Sequence, residues 1–196
     1  MKYFTFFKRL LLNILILTGL FSTPYILSAQ SFSFDDSWGK QGFSIESQRN
    51  QELIVNYSVN AFSLEKKLID GEEMITIALP GNFLPNDAGA PDLPGSGRYI
   101  AIPEGAEVKM EILSMRKESV KDVEIAPAFV IPKDSDNNPL EYKKNEKIYS
   151  RDAYYPAEFA RISEPTQIRG LDVVMLGITP YQYNPVTREL IVYRHI

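Results

Sequence analysis

His195 is the only histidine in the chain, and there is no cysteine to act beside it. Those two facts narrow the covalent chemistry at once. Without cysteine the chain holds no disulfide, no thiolate metal ligand and no thiol nucleophile. A single imidazole cannot build a multi-histidine metal centre. A serine triad would need His195 as its base, yet it sits next to the last residue, at the end of a strand pattern. It reads as an exposed strand histidine. Gly95-Ser96-Gly97, between Pro94 and Arg98, lacks the frame of a nucleophile elbow and reads as a turn.

Two other groups of residues invite a chemical reading. Asp134-Ser135-Asp136-Asn137-Asn138 places oxygen ligands on alternate positions, as a calcium loop does. The sixth position is Pro139 where a calcium loop needs glycine, and the twelfth is Asn145 where it needs glutamate. A solvated Asx-rich turn accounts for it better. Lys143, Lys144 and Lys147 are interleaved with Glu141 and Glu146, which makes a solvated face and not a phosphate site. The tyrosines at 142, 149, 154, 155, 181, 183 and 193 could stack on sugar rings. The commoner role of tyrosine is to cover a sheet face with its hydroxyl at the wet edge. No carboxylate pair has a shared frame. The residues alone therefore suggest no catalytic centre, no metal and no cofactor.

The elements that would position these groups fall into two unlike regions. Residues 1–30 hold Lys2, Lys8 and Arg9 and no acid. The remainder has 18 bases against 25 acids, a net charge of −7, where the whole chain carries −4. An acidic balance disfavours nucleic-acid binding, which needs a basic face. The basic start is followed by an apolar run over 10–21 and then by small residues. That is the pattern of a secretory signal peptide over residues 1–29, cleaved between Ala29 and Gln30. The run is short of the roughly 20 residues a bilayer span needs, so no stable membrane span is expected after cleavage. Export without cysteine suits a Gram-negative envelope, with passage through the periplasm to the cell surface or the medium.

Residues beyond the leader alternate and are rich in β-branched side chains. Strands are expected over 52–59, 62–69, 73–79, 98–102, 107–113, 120–127, 129–131, 171–178 and 189–194. Asp70-Gly71 supplies a hairpin turn. Val108-Lys109-Met110-Glu111-Ile112 reads in, out, in, out, in. Thirteen prolines and eleven glycines punctuate these runs, and the one short helical stretch expected is 156–162. The class is all-β, an antiparallel β-sandwich or jelly-roll-like domain. Residues 30–50, polar with isolated aromatics, are expected to form a loosely held N-terminal arm, leaving 51–196 as the domain.

Several short motifs, in order, resemble the propeptides of the gingipain family of cysteine peptidases. They are Gly89-Ala90-Pro91-Asp92-Leu93-Pro94 with Arg98-Tyr99-Ile100-Ala101-Ile102-Pro103, then Ile125-Ala126-Pro127, Tyr155-Pro156 and Arg169-Gly170. The fullest is Pro180-Tyr181-Gln182-Tyr183-Asn184-Pro185-Val186-Thr187, continued by Leu190 and Val192-Tyr193. In that last hairpin Asn184 can bond its own downstream backbone and Pro185 presets φ.

The resemblance implies a prodomain that assists folding of a cognate cysteine-peptidase catalytic domain and blocks its cleft. It also implies contact with secretion machinery, usually the type IX route. Basic-specific members fill the specificity pocket with a basic side chain on a loop after the Ile-Ala-Pro strand. The matching residues are Pro132, Lys133 and Asp134, with Lys133 the occupant and Pro132 lowering the cost of ordering the loop. A peptidase would need several hundred more residues, so the domain is expected to be truncated at its C-terminus. Two other readings compete: a secreted β-sandwich module for binding or adhesion at the cell surface, and a nonpeptidase subunit of the secretion machinery.

Overall fold

The computed structural model describes residues 29–34, 39–81, 86–130 and 140–196. In chain order the elements are β1 (Ala29–Ser33), β2 (Gly42–Arg49), β3 (Glu52–Ser58), β4 (Ala61–Ile69), β5 (Glu72–Ala78), β6 (Ser96–Ala101) and β7 (Arg116–Val120). They continue with α1 (Glu146–Tyr149), β8 (Ala160–Ile162), β9 (Thr166–Ile168), β10 (Leu171–Ile178), β11 (Tyr181–Asn184) and β12 (Glu189–His195). The fold is all-β, and every strand ladder is antiparallel.

The strands form three sheets. The first has the order β1-β4-β5, and the second β6-β10-β8 with β9 also on β10. The third has the order β11-β12-β3-β2, with β7 on the other side of β12. Two-residue turns set the hairpin registers. Asp70 and Gly71 both take positive φ, 51° and 85°, between β4 and β5, and Ile69 faces Glu72. Arg169 and Gly170 repeat the geometry at 52° and 80° between β9 and β10. Positive φ at both central residues twists the turn to match its strands.

All three sheets feed one core. Phe62 and Leu64 of β4 meet Tyr57 of β3, Leu176 and Ile178 of β10, Tyr181 and Tyr183 of β11, and Leu190 and Val192 of β12. Burying each large apolar side chain is worth about 1.5–3 kcal/mol, and this shared cluster joins the sheets into one body.

Several sequence expectations are corrected. Residues 30–50 are not loosely held in their described parts: β1 pairs with β4 and β2 with β3. Phe32 stacks on Phe62 with centroids 4.6 Å apart, and Phe43 meets Tyr57 edge-on at 4.8 Å. The aromatics that looked isolated in the sequence attach this stretch to the core. No helix forms at 156–162; β10 draws Ala160–Ile162 into its ladder instead. Among the described residues the one short helix is α1, capped by Asn145, whose side chain accepts from the Lys147 amide at 3.1 Å. Within 120–127 only Val120 is in a strand, and the preceding charged Arg116–Val120 pairs with β12. Residues 107–113 join no ladder among the described residues, and of them only Val108 escapes the exposed class. His195 is buried, not exposed, because β12 is flanked there by both β3 and β7.

Candidate functional site

Two of the quoted motifs lie side by side. Residues 123–128 run between the edge of β5 and residues 89–92. On one side the Ile75 amide donates to Glu124 O at 2.7 Å and the Ala126 amide to Ile75 O at 2.8 Å. On the other, the Asp92 amide donates to Ala126 O at 2.9 Å, Ala128 to Ala90 O at 2.7 Å and Gly89 to Ala128 O at 2.8 Å. Ile125, Ala126, Ala90 and Leu93 have no exposed surface. The prolines at 91 and 127 face each other across an isolated bridge, where their missing amides cost the ladder nothing.

Gly89 is required for two reasons. Its φ is +80°, and a Cβ there would stand 2.5 Å from the Lys143 carbonyl oxygen. The close approach lets the Asn145 amide donate to Gly89 O at 2.9 Å. Residues 143–145 are thereby clamped to the motif. Gly95 is also a close-approach glycine, 2.9 Å from Thr179 Oγ1 at the Cβ position. Ser96 is the first residue of β6 and receives the Tyr57 hydroxyl at 3.4 Å.

This paired segment leads into a stem. The Val130 amide donates to Glu141 O at 3.0 Å, and the Phe129 and Tyr142 rings meet edge to face at 6.0 Å. Lys67 of β4 donates to the Tyr142 hydroxyl at 3.0 Å and lies 5.1 Å from its ring centroid. Lys144 binds Glu124 at 2.8 Å, and the Tyr149 hydroxyl donates to Ile125 O at 2.9 Å. Val130 and Glu141 are thus the two feet from which the intervening chain departs. Pro132, Lys133 and Asp134 lie on that intervening chain, outside the described residues, as does the Asp134–Asn138 run. Residues 1–28, where a signal peptide is expected, also lie outside them.

The tyrosines around the stem are structural donors. Burial pushes the Tyr149 hydroxyl far above its ordinary value, with Tyr183, Glu124 and Asp92 adding to it. Tyr155 is pushed up to about 12 by burial and then by Asp87, to which its hydroxyl donates at 3.1 Å. Tyr183 is likewise raised to about 12, mainly by burial, and donates to Val123 O at 2.9 Å. All three stay protonated near neutral pH. Tyr181, Tyr183 and Tyr193 are buried, so none of them can stack on a sugar ring.

His195 Nδ1 lies 3.4 Å from Ser58 Oγ, the one serine–histidine contact among the described residues. Ser58 is 1% exposed; a substrate cannot reach it. The contact is part of the sheet interior. Nothing in the sequence signalled the pair, because the residues are far apart in the chain and meet only through the β3–β12 register.

The predicted Asn184 turn forms as expected. Its Oδ1 accepts from the Val186 amide at 3.0 Å and the Thr187 amide at 3.3 Å, and its Nδ2 donates to Asp152 at 2.8 Å. Gln182 donates to Pro156 O at 2.7 Å and receives the Tyr193 hydroxyl at 2.6 Å. These motif residues fix register and pack the Tyr155-Pro156 step; they bear the fold.

Fold and site together define a β-domain whose motif segments are bonded to one another and end at the paired Val130 and Glu141, and which carries no catalytic constellation among its described residues. Residues 44–196 match the Propeptide_C25 family, and the chain belongs to that family, the gingipain-type propeptides. It is 33% identical over 112 residues to Gingipain R2 of Porphyromonas gingivalis, covering 57% of this chain and 15% of that protein. It is 24% identical over 152 residues to Lys-gingipain HG66 of the same organism, covering 74% of this chain and 9% of that protein. The chain thus spans only a small part of the curated relatives it matches. Among solved structures, the complex of P. gingivalis RgpB pro- and mature domains superposes with a TM-score of 0.73 at 24% identity, over 79% of this chain and 81% of that one. A structure describing zymogenic latency of P. gingivalis gingipain K superposes with a TM-score of 0.71 at 20% identity, over 85% and 94%.

Proposed function

We propose that this chain is the propeptide of a secreted gingipain-like cysteine endopeptidase precursor. It assists folding of a cognate catalytic domain and occupies the catalytic cleft until it is removed. The observation that carries this reading is the stem. The family's Gly89 and Ile-Ala-Pro motifs are bonded to one another, and they lead directly to the Val130–Glu141 feet. A loop whose feet are joined by a backbone hydrogen bond has less entropy to lose on docking than a free peptide.

Pro132, Lys133 and Asp134 are assigned to the cleft-facing part of that loop, with Lys133 in the specificity pocket of a basic-specific partner. Residues 1–29 act as the signal peptide, cut between Ala29 and Gln30. Such a cut leaves the pairing of Gln30 with Leu64 and of Phe32 with Phe62 in place. Export proceeds through the periplasm and onward by the type IX route.

The test is inhibition of a gingipain-type catalytic domain by the exported chain. The wild type should inhibit stoichiometrically, and Lys133→Ala should weaken inhibition by about tenfold or more, the range of a hot-spot contact. Unchanged potency in Lys133→Ala would refute the loop assignment alone. No inhibition by a correctly folded wild type would refute the propeptide reading.

A further inference from the structure

Residues 106–115 are the one long strand-like segment that the rest of the described fold does not use. They run from the Gly105 turn to β7 without a turn or bend. No ladder among the described residues takes them up. Met110 and Ile112 are each 39% exposed, Leu113 67% and Met115 51%. Met110 and Ile112 line one wall of an open groove of about 500 Å³, with Phe159, Ala160 and Ile162 on the other. Val108 is of intermediate burial and Met110 and Ile112 are partly covered, while Leu113 is the most exposed of the apolar residues here and Lys109 and Glu111 are exposed. A strand with free backbone groups on its edge is a template for another strand.

We propose that residues 107–113 pair antiparallel with the same residues of a second copy of this chain, about a two-fold axis through Met110. Two-fold symmetry makes each face of the strand meet itself, so the axis must pass through a residue. Centred on Met110, Lys109 faces Glu111 twice, Val108 faces Ile112 twice, and Met110 faces itself. Centred on Lys109, the pairing sets Lys109 against itself and Glu107 against Glu111. Centred on Glu111, it sets two glutamates face to face. Opposite charges across a strand pair stabilise it, and like charges directly opposite do the reverse. A pairing centred on Val108 is also charge-complementary, with Glu107 against Lys109, but it sets Ile112 against Glu104. The Met110 register is the one that joins charge complementarity to the merging of the two apolar rows Val108, Met110 and Ile112. The pairing is independent of any peptidase and does not rest on the propeptide reading.

The experiment uses the full chain expressed with its leader and purified after export. Sedimentation velocity across about 1 to 100 µM should show a monomer–dimer equilibrium. Lys109→Glu and Glu111→Lys should each raise the dissociation constant by about tenfold or more, and the double charge swap should restore it. Because the chain has no cysteine, register can be read by crosslinking. Met110→Cys should oxidise to a covalent dimer, and Leu113→Cys, which faces Glu107, should not. Four results would overturn the proposal. They are a monomer throughout the range, a double swap that does not recover, equal crosslinking of the two cysteine variants, or protection of 107–113 only when a peptidase domain is added.

Discussion

Residues 123–128 and 107–115 are both extended, both β-rich in composition, and they meet opposite fates. The first is caught between β5 and residues 89–92, with its backbone bonded on both sides and Ile125 and Ala126 wholly buried. The second has the cleaner alternation and no ladder among the described residues. The difference shows that alternation reports which face a strand offers, not whether a neighbour exists to accept it. In 123–128 the neighbour is supplied by a glycine-and-proline motif that has no regular strand character of its own.

The comparison breaks most severely at Gly89. Gly89→Ala combines a left-handed φ of +80° with a Cβ placed 2.5 Å from backbone at Lys143. Strain and overpacking together should cost about 4 kcal/mol. Urea unfolding of the variant should show this as a lowered midpoint with an unchanged slope. A cost below about 1 kcal/mol would mean that residues 143–145 yield freely and that the stem is not clamped. Next in size is a matched pair of truncations. Leu93→Ala empties a site with no exposure and should cost about 3 kcal/mol. Ile112→Ala, in the unpaired segment, should cost about 0.5 kcal/mol at most in the monomer. Equal losses would show that 107–115 is as firmly built in as the core.

Much of the framework was legible in the sequence. β3, β4, β5, β6, β10 and β12 announce themselves by alternation and by breakers at their ends, and Asp70-Gly71 and Asn184 specify their turns through local chemistry. What escaped was set by tertiary partners. Arg116–Val120 is charged and exposed, and only the open edge of β12 makes it a strand. Ala160–Ile162 is three residues long, below any periodic signal, and β10 alone defines it. The polar N-terminal stretch hid its attachment because its aromatics are spaced singly, and their partners Phe62 and Tyr57 are remote. Of the candidate site, the motif residues were readable but their adjacency was not, since a chain reading cannot see that 89–92 and 124–128 are bonded.

His195 offers the finest probe of the built-in region. The sequence suggested an exposed side chain, and the fold buries it beside Ser58 of β3. Burial lowers its pKa below the ordinary 6.5, Arg116 of β7 lowers it further, and Glu46 of β2 opposes them in part. The folded chain therefore binds a proton at His195 less readily than the unfolded chain. Stability should be level above about pH 6.5, where both states hold a neutral ring, and should fall as pH drops below that value. The fall should end once pH passes below the depressed folded pKa, where both states are protonated. His195→Gln keeps a polar side chain without a titration, so its stability curve should lose this slope while retaining the contribution of the carboxylates at lower pH. Urea midpoints between pH 7.5 and 5 for the two proteins would separate the effect. A parallel decline in both would place the proton uptake elsewhere and leave His195 a spectator in the sheet. A slope present in wild type alone would show that the closed β3–β12–β7 junction is felt by the whole domain.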